Sequence, residues 1–204
     1  MQKTQDENEL LEALRSGDRA AFARLVEAYE SQVYNLALKL LHDEDEAEDV
    51  LQETFLSAYR GLATFAGRSK LSTWIYRIAT NASLMRLRKH KHQAATISLD
   101  ESTDLGDGQP IPRELMDWSG VPDDVLLSEE ARQVMDEAIA DLPETLRVVF
   151  VLRDIEDLSA ADTGEILDLS IPAVKSRLHR ARLMLRERLA SYYSERIVKR
   201  VSDE

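Results

Sequence analysis

An apolar pattern of helical period runs along most of this chain and lapses once, across residues 94–125. Apolar residues at i, i+3, i+4 and i+7 line one face of an α-helix. Phe22, Leu25, Val26 and Tyr29 follow that spacing, and Val33, Leu36, Ala37, Leu40 and Leu41 continue it. A shorter apolar pattern over 8–14 precedes them and breaks at Ser16-Gly17-Asp18. The spacing predicts a helical hairpin packed core against core. Residues 43–60 form a further helix, capped by Asp43 or Asp45, with acidic residues in the first turn complementing the helix dipole. Its apolar stripe is Val50, Leu51, Phe55 and Tyr59, and its polar face shows Glu46, Asp49, Gln52, Glu53 and Ser57. With seven glycines in 204 residues and few β-branched runs, the expected fold class is all-α.

Where the period lapses, Pro, Gly, Ser and Asp dominate, which marks a linker. The expected organisation is a helical domain over 1–93, a flexible acidic linker over 94–125, a second helical domain over 126–195 and a C-terminal tail over 196–204. In the second domain Leu126, Leu127, Ala131, Val134, Met135, Ala138, Ile139 and Leu142 form one helical stripe. Pro143 ends that helix and sits in the first turn of the next, which runs to about Asp157. A short helix over 159–167, a turn at Asp168-Leu169-Ser170 and a longer helix over 171–189 make a helix-turn-helix pattern. Ser170 caps the longer helix and Pro172 lies in its first turn. Val174, Leu178, Ala181 and Leu185 face inward, leaving Lys175, Ser176, Arg177, His179, Arg180 and Arg182 outside.

The charge is unevenly distributed. The net formal charge is −12, yet residues 61–93 contain no Asp or Glu and seven Lys and Arg: Arg68, Lys70, Arg77, Arg86, Arg88, Lys89 and Lys91. Residues 170–190 carry a net +5, while 43–60 carry −6 and 94–130 carry −9. An acidic chain that clears one segment of carboxylates keeps a surface attractive to an anion. Phe65, Trp74 and Tyr76 lie among these bases, a mixture suited to single-stranded nucleic acid. The alternative is an amphipathic core helix with a solvated basic face. A loop is expected around Gly67, then a helix over 71–91 capped near Ser69 or Ser72, with Trp74, Ile78 and Leu84 inward. Asn81 falls one turn beyond Arg77 on the same face.

Other classes are disfavoured. No cysteine is present, so disulfides and thiolate chemistry are excluded. The four histidines, two of them His90 and His92, make no metal-ligand pattern. No run of 18 apolar residues occurs and the first residues lack a signal-peptide core, so a cytoplasmic location is expected. The glycines of the GDG stretch, Gly106 and Gly108, fall short of a phosphate loop. No metal or cofactor is called for. Two competing functions remain: an ordinary helix-turn-helix regulator, which leaves 61–93 unexplained, and a nucleic-acid enzyme, which lacks clustered metal-binding carboxylates.

Four stretches, DEAEDVLQETFLSAYRGLATF, STWIYRIATNASLMRLRKHK, LPETLRVVFVLRDIEDLS and SIPAVKSRLHRARLMLRERL, together carry a resemblance. The chain resembles the extracytoplasmic-function (ECF) group of bacterial sigma factors, in the sigma-70 family, over nearly its whole length. The resemblance implies a σ2 helix bundle and a σ4 helix-turn-helix domain, joined by a flexible linker. It implies a polymerase specificity subunit with no catalytic site of its own, which binds core RNA polymerase, recognises the −35 and −10 promoter elements and promotes melting. Glu46, Asp49, Gln52, Glu53 and Ser57 would meet the β′ clamp helices, and the second domain the β flap. Phe65, Arg68, Ser69, Lys70, Trp74, Arg77, Asn81, Arg86 and Arg88 would hold the single-stranded −10 element, with one base turned out into a pocket. Ser170, Ala173, Lys175, Ser176, Arg177, His179, Arg180 and Arg182 would meet the duplex −35 element. An anti-sigma factor is an expected partner, and the free chain is expected to be a monomer. The sequence departs from the family at Ala66 and Arg68, where relatives often place Arg then Gly after the loop aromatic, and at Met85, near which many carry Asp. These departures bear on the −10 sequence read.

Overall fold

The computed structural model describes residues 10–65, 67, 69–95 and 129–202. Ala66, Arg68, Leu126, Leu127 and nearly all of the expected linker lie outside them. The described chain is helical throughout. A short helix, α1 (10–15), leads into α2 (Arg19–Leu41), α3 (Glu44–Gly61), a 3₁₀ turn (Leu62–Thr64) and α4 (Leu71–Ala95). After the linker come α5 (Glu129–Ala140), α6 (Glu144–Phe150) with a π-helical turn (Val151–Ile155), α7 (Ala160–Leu167) and α8 (Ile171–Ser202).

Local chemistry sets these boundaries. Asp18 caps α2 by accepting from the Ala20 amide at 2.8 Å, and Asp43 caps α3 by accepting from the Glu46 amide at 2.9 Å. Asp43, rather than Asp45, is therefore the cap. His42 ends α2 in the left-handed region (φ 56), its amide donating to the Leu38 carbonyl. The first turn of α4 closes from the Trp74 amide onto the Lys70 carbonyl, so Lys70 takes the place expected for Ser69 or Ser72. Pro143 stands one residue earlier than expected, at the cap of α6 rather than inside it. Helix α4 runs on to Ala95 and α8 to Ser202, so each continues past its expected end and α8 takes up most of the expected tail.

Helices α2, α3 and α4 pack together around Leu25, Val33, Leu36, Leu40, Phe55, Ile75 and Ala79, all buried. Tyr59, expected in the stripe of α3, instead lies 51% exposed, edge-on to Phe22 with ring centroids 5.0 Å apart. Thr54 and Ala58 fill the interior beside Phe55. In the second half Ile139, Leu142, Val149, Leu152 and Ile166 pack against Val174, Leu178, Ala181 and Leu185 of α8. The four expected inward residues of α8 are thus all core, the Val and Leu side chains contributing about 1.5–3 kcal/mol each.

The two halves also meet. α7 packs on α4, and α2 packs on α5, α6 and the π turn. The Arg147 guanidinium of α6 donates to the Leu40 carbonyl of α2 at 2.8 Å and to the Leu142 carbonyl at 3.2 Å, and it also bonds the Ala140 carbonyl. A cation thus caps the negative carboxyl ends of two helices, one from each half. Burial holds the pKa of this guanidinium below its ordinary value. Lys39 pairs with Asp136 beside it.

Candidate nucleic-acid interface

The helix-turn-helix is built on a close backbone approach. A Cβ at Gly164 would lie 2.6 Å from the Leu169 carbonyl oxygen, so only glycine fits there. The Leu169 amide donates to the Gly164 carbonyl at 2.9 Å, and Asp168 makes the reversal at φ 54. The Ser170 hydroxyl then accepts from the Ala173 amide at 3.3 Å, so Ser170 is spent on capping α8 and Ala173 is half-buried. Beyond the cap, Lys175, Ser176 and His179 form an exposed stripe at i, i+1 and i+4. Arg177 and Arg180 flank it, half-buried. Arg182 does not join the stripe. It turns back onto Asp154 of the π turn, with two contacts of 2.7 Å, Nε to Oδ2 and Nη2 to Oδ1. That fork raises the Arg182 pKa above its usual value.

The basic stretch before and along α4 is differently arranged. Phe65 is buried, 8% exposed, its ring 4.8 Å from that of Trp74 at 37°. Its carbonyl accepts from Arg15 of α1 at 2.8 Å, and Gly67 reverses the loop at φ 69. Tyr76 is also core, donating its hydroxyl to Glu156 at 2.6 Å. Two of the three aromatics that lie among these bases are therefore interior, Phe65 because the loop folds down onto α4 and Tyr76 because it packs toward Glu156. Of the three, Trp74 alone is half-exposed. Ser69 is half-buried, while Asn81, Met85 and Arg88 are exposed on α4. Arg68 lies outside the described residues.

Three cations of this stretch, Lys70, Arg77 and Arg86, end on carboxylates. Lys70 reaches Asp162 of α7 at 3.2 Å, and the Thr73 hydroxyl donates to the same carboxylate at 3.3 Å. Arg77 donates to the Glu165 carbonyl at 2.6 Å and to its carboxylate at 3.1 Å. The Ser159 hydroxyl donates to Asp162 at 2.6 Å, and this bond, with Lys70 and Thr73, holds the Asp162 carboxyl below its ordinary range. Burial pushes Tyr76 and Glu156 the other way, both upward.

Arg86, expected at the −10 strand, is engaged within the chain. Its guanidinium points to α3 and meets Glu46 at 2.7 Å, Asp49 at 3.3 Å and Glu53 at 3.3 Å. The hydrogen bond from Arg86 lowers the Glu46 pKa, and the same bond raises that of Arg86. His90 lies 3.3 Å from the other Glu46 oxygen. Three residues of the acidic face are thus gathered around one cation, while Gln52 and Ser57 are exposed on the outer side of α3. Among the described residues no group of three or more His, Asp or Glu is placed to hold a metal, and no helix is long and apolar enough to cross a membrane.

Comparison with known proteins bears on this arrangement. The model for sigma-70 region 2 matches residues 25–93 and that for sigma-70 region 4 matches 132–185. The chain is 36% identical over 179 residues to the ECF RNA polymerase sigma factor SigW of Bacillus subtilis, covering 88% of this chain and 94% of that one. The chain belongs to the ECF sigma factors of the sigma-70 family. The ECF sigma-E factor of Escherichia coli is 35% identical over 175 residues, covering 85% of this chain and 88% of its own. The fold is that of CnrH, solved in complex with the cytosolic domain of CnrY (TM-score 0.64, 22% identity, 91% and 97% covered). It is also that of RpoE from Bartonella quintana, solved with the anti-sigma factor NepR (TM-score 0.59, 25% identity, 83% and 96% covered). Region 2 thus coincides with α2–α4 and region 4 with α5–α8. As a sigma factor the chain serves transcription initiation, in a family of generally non-catalytic subunits.

Several residues that shape the site carry no local sequence signal. Arg15, Thr73, Asp162 and Glu165 were not expected at it. Only the S-x-x-D pattern of Ser159 and Asp162, a helix-capping signature, marked one of them.

Proposed function

We propose that this sigma factor binds core RNA polymerase through the outer face of α3, holds the melted −10 strand with α4 and the loop before it, and reads the −35 duplex with α8. The observation that carries the reading is the exposed Lys175–Ser176–His179 stripe on a helix whose opposite side is buried core. A helix so mounted can enter a major groove without disturbing its packing, and its cations and polar groups can hold phosphates and meet base edges. On α3, Asp49, Gln52, Glu53 and Ser57 offer polar contacts to the clamp helices, with Leu56, 51% exposed, as an apolar contact between them. The region 4 half would meet the β flap.

On α4, Asn81 and Arg88 are exposed for the −10 strand, with half-exposed Trp74 nearer the start of the same helix. Phe65 would form the floor of the pocket rather than its stacking face. Chemistry would be left to the polymerase, the chain supplying no catalytic group. The free chain would be a cytoplasmic monomer, and an anti-sigma factor would restrain it; RpoE of Bartonella quintana was solved in complex with one, NepR.

The test is transcription in vitro with bacterial core polymerase on a library of genomic fragments, with start sites mapped. Start sites that share upstream elements, and that appear only when this chain is added, are the expected result. Core polymerase starting at the same places with and without the chain would overturn the reading.

A further inference from the structure

Glu46, Asp49 and Glu53 lie at i, i+3 and i+7 on α3, one stripe of that helix, and a single side chain of α4 gathers all three. They are not held alike. Glu46 is 25% exposed and takes the 2.7 Å contact from Arg86, with His90 beside its other oxygen. Asp49 and Glu53 are 63% and 51% exposed and reach the same guanidinium at 3.3 Å. Arg86 is only 24% exposed and its Nε is buried, so the side chain emerges from between the helices with its two Nη nitrogens forward. Asp49 gives it Oδ2 and Glu53 gives it Oε2. Among the described residues the second oxygen of each, Oδ1 and Oε1, takes no hydrogen bond.

We propose that Arg86 is a positioning residue for polymerase docking: anchored on Glu46, it holds Asp49 and Glu53 in the orientation in which their free oxygens meet basic groups of the polymerase. This rests on the assignment of the outer face of α3 to core polymerase given above. On an open helix surface an Asp and a Glu sample several rotamers, and docking must first fix them. Arg86 does that fixing in the free chain. It also relieves the repulsion among like charges a turn apart. Three carboxylates share one cation, so the face stays acidic and still attracts a basic partner. Glu46 is the anchor rather than the contact, and the hydrogen bond from Arg86 keeps it ionised by lowering its pKa. A base of α4 thereby serves the contact made by α3.

The direction of the effect separates this role from charge alone. Removing a cation from an acidic face should, by charge, strengthen its hold on a basic partner. Positioning demands the opposite. In a titration of the labelled full chain with bacterial core polymerase, Arg86→Ala should bind about five- to tenfold more weakly than the parent, with Arg86→Lys between the two. Ala82→Gly is the structural control. Ala82 is buried where α4 packs beside Ala47 and Val50 of α3, and the change loosens that contact without touching a charge. At a temperature where every variant is folded by circular dichroism, Ala82→Gly should bind core polymerase as the parent does. Binding unchanged or tightened by Arg86→Ala, or weakened as much by Ala82→Gly, overturns the proposal.

A second measurement needs no polymerase. Three-bond couplings about χ1 in the free chain should report one rotamer each for Asp49 and Glu53 in the parent and averaged rotamers in Arg86→Ala. Averaging already present in the parent overturns the proposal. The Asp49→Lys/Glu53→Lys variant tests the docking face by itself. If that reversal leaves core affinity unchanged, the docking reading and the proposal fall together. If the reversal weakens binding and Arg86→Ala does not, the docking reading stands and the positioning role falls.

Discussion

On and just before α4, Lys70, Arg77 and Arg86 each end on a carboxylate of the same chain, whereas α8 leaves Lys175, Ser176 and His179 at the surface. The two stretches look alike as sequence, carrying net charges of +7 over 61–93 and +5 over 170–190. Their surroundings differ. The inner side of α8 is covered by aliphatic residues of α5–α7, which makes no demand on the cations opposite. α4 lies between two acidic neighbours, α3 on one side and α7 on the other, and its cations neutralise both. A count of bases therefore locates charge along the chain but not the charge that a partner can reach.

The largest expected effect comes from removing the presentation of α8 while leaving α4 in place. Gly164→Ala drives a methyl to 2.6 Å from the Leu169 carbonyl, a backbone atom that cannot rotate away. We expect a loss of about 3 kcal/mol. Loss of −35 duplex binding should accompany it, with hydrogen-exchange protection falling in α7 and α8 before α2 and α3. Uniform loss of protection would mean that the halves do not unfold separately and would blunt the comparison.

Arg86→Ala is next. It leaves Glu46, Asp49 and Glu53 facing one another without their cation, and should cost about 2 kcal/mol in urea unfolding. Arg86→Lys should recover only part, because an ammonium lacks the fork that meets several carboxylates. A variant of full stability that binds single-stranded DNA poorly would return Arg86 to the nucleic-acid set.

Within α8 the same distinction can be drawn between neighbours. Lys175→Ala should weaken duplex binding and reduce its salt slope by about 1, as expected for a phosphate contact. Arg182→Ala should leave the slope unchanged and cost about 0.2–1 kcal/mol of stability, since its partner is Asp154. If both variants reduce the slope, Arg182 reaches DNA and the comparison inside α8 fails.

The smallest effect lies in the seam between the two halves, where Tyr76 of α4 meets Glu156. Burial raises the Glu156 pKa above its ordinary 4.5, so the fold favours the protonated form. Its contribution is most favourable below that value and is lost as pH rises through the folded pKa. Glu156→Gln keeps an oxygen for the Tyr76 hydroxyl and removes the charge. Its Tm should lie a little above the parent's at neutral pH, with the gap closing on acidification towards 4.5. A gap that widens instead would show that an ionised Glu156 stabilises the seam. Asp162, held low by Ser159 and Lys70, works in the opposite sense and loses its contribution as pH falls.

Much of this molecule is settled locally, and the sequence by itself determined it. Asp18, Asp43, Ser159 and Ser170 cap helices because a short acceptor side chain meets amides two or three residues ahead. Apolar spacing located α2, α3, α4 and α8 and the inward face of α8, since the period depends only on helix geometry. The family resemblance rests on the same stretches. Only the tertiary structure decided which cations remain available and which aromatics are interior. Arg86 meets Glu46 across 40 residues and Arg77 meets Glu165 across 88, separations for which the helical period carries no information. Phe65 is buried because Arg15 of α1 holds its carbonyl while Trp74 covers its ring. The pattern says which face of a helix is apolar or charged; the packing of one helix on another says what that face meets.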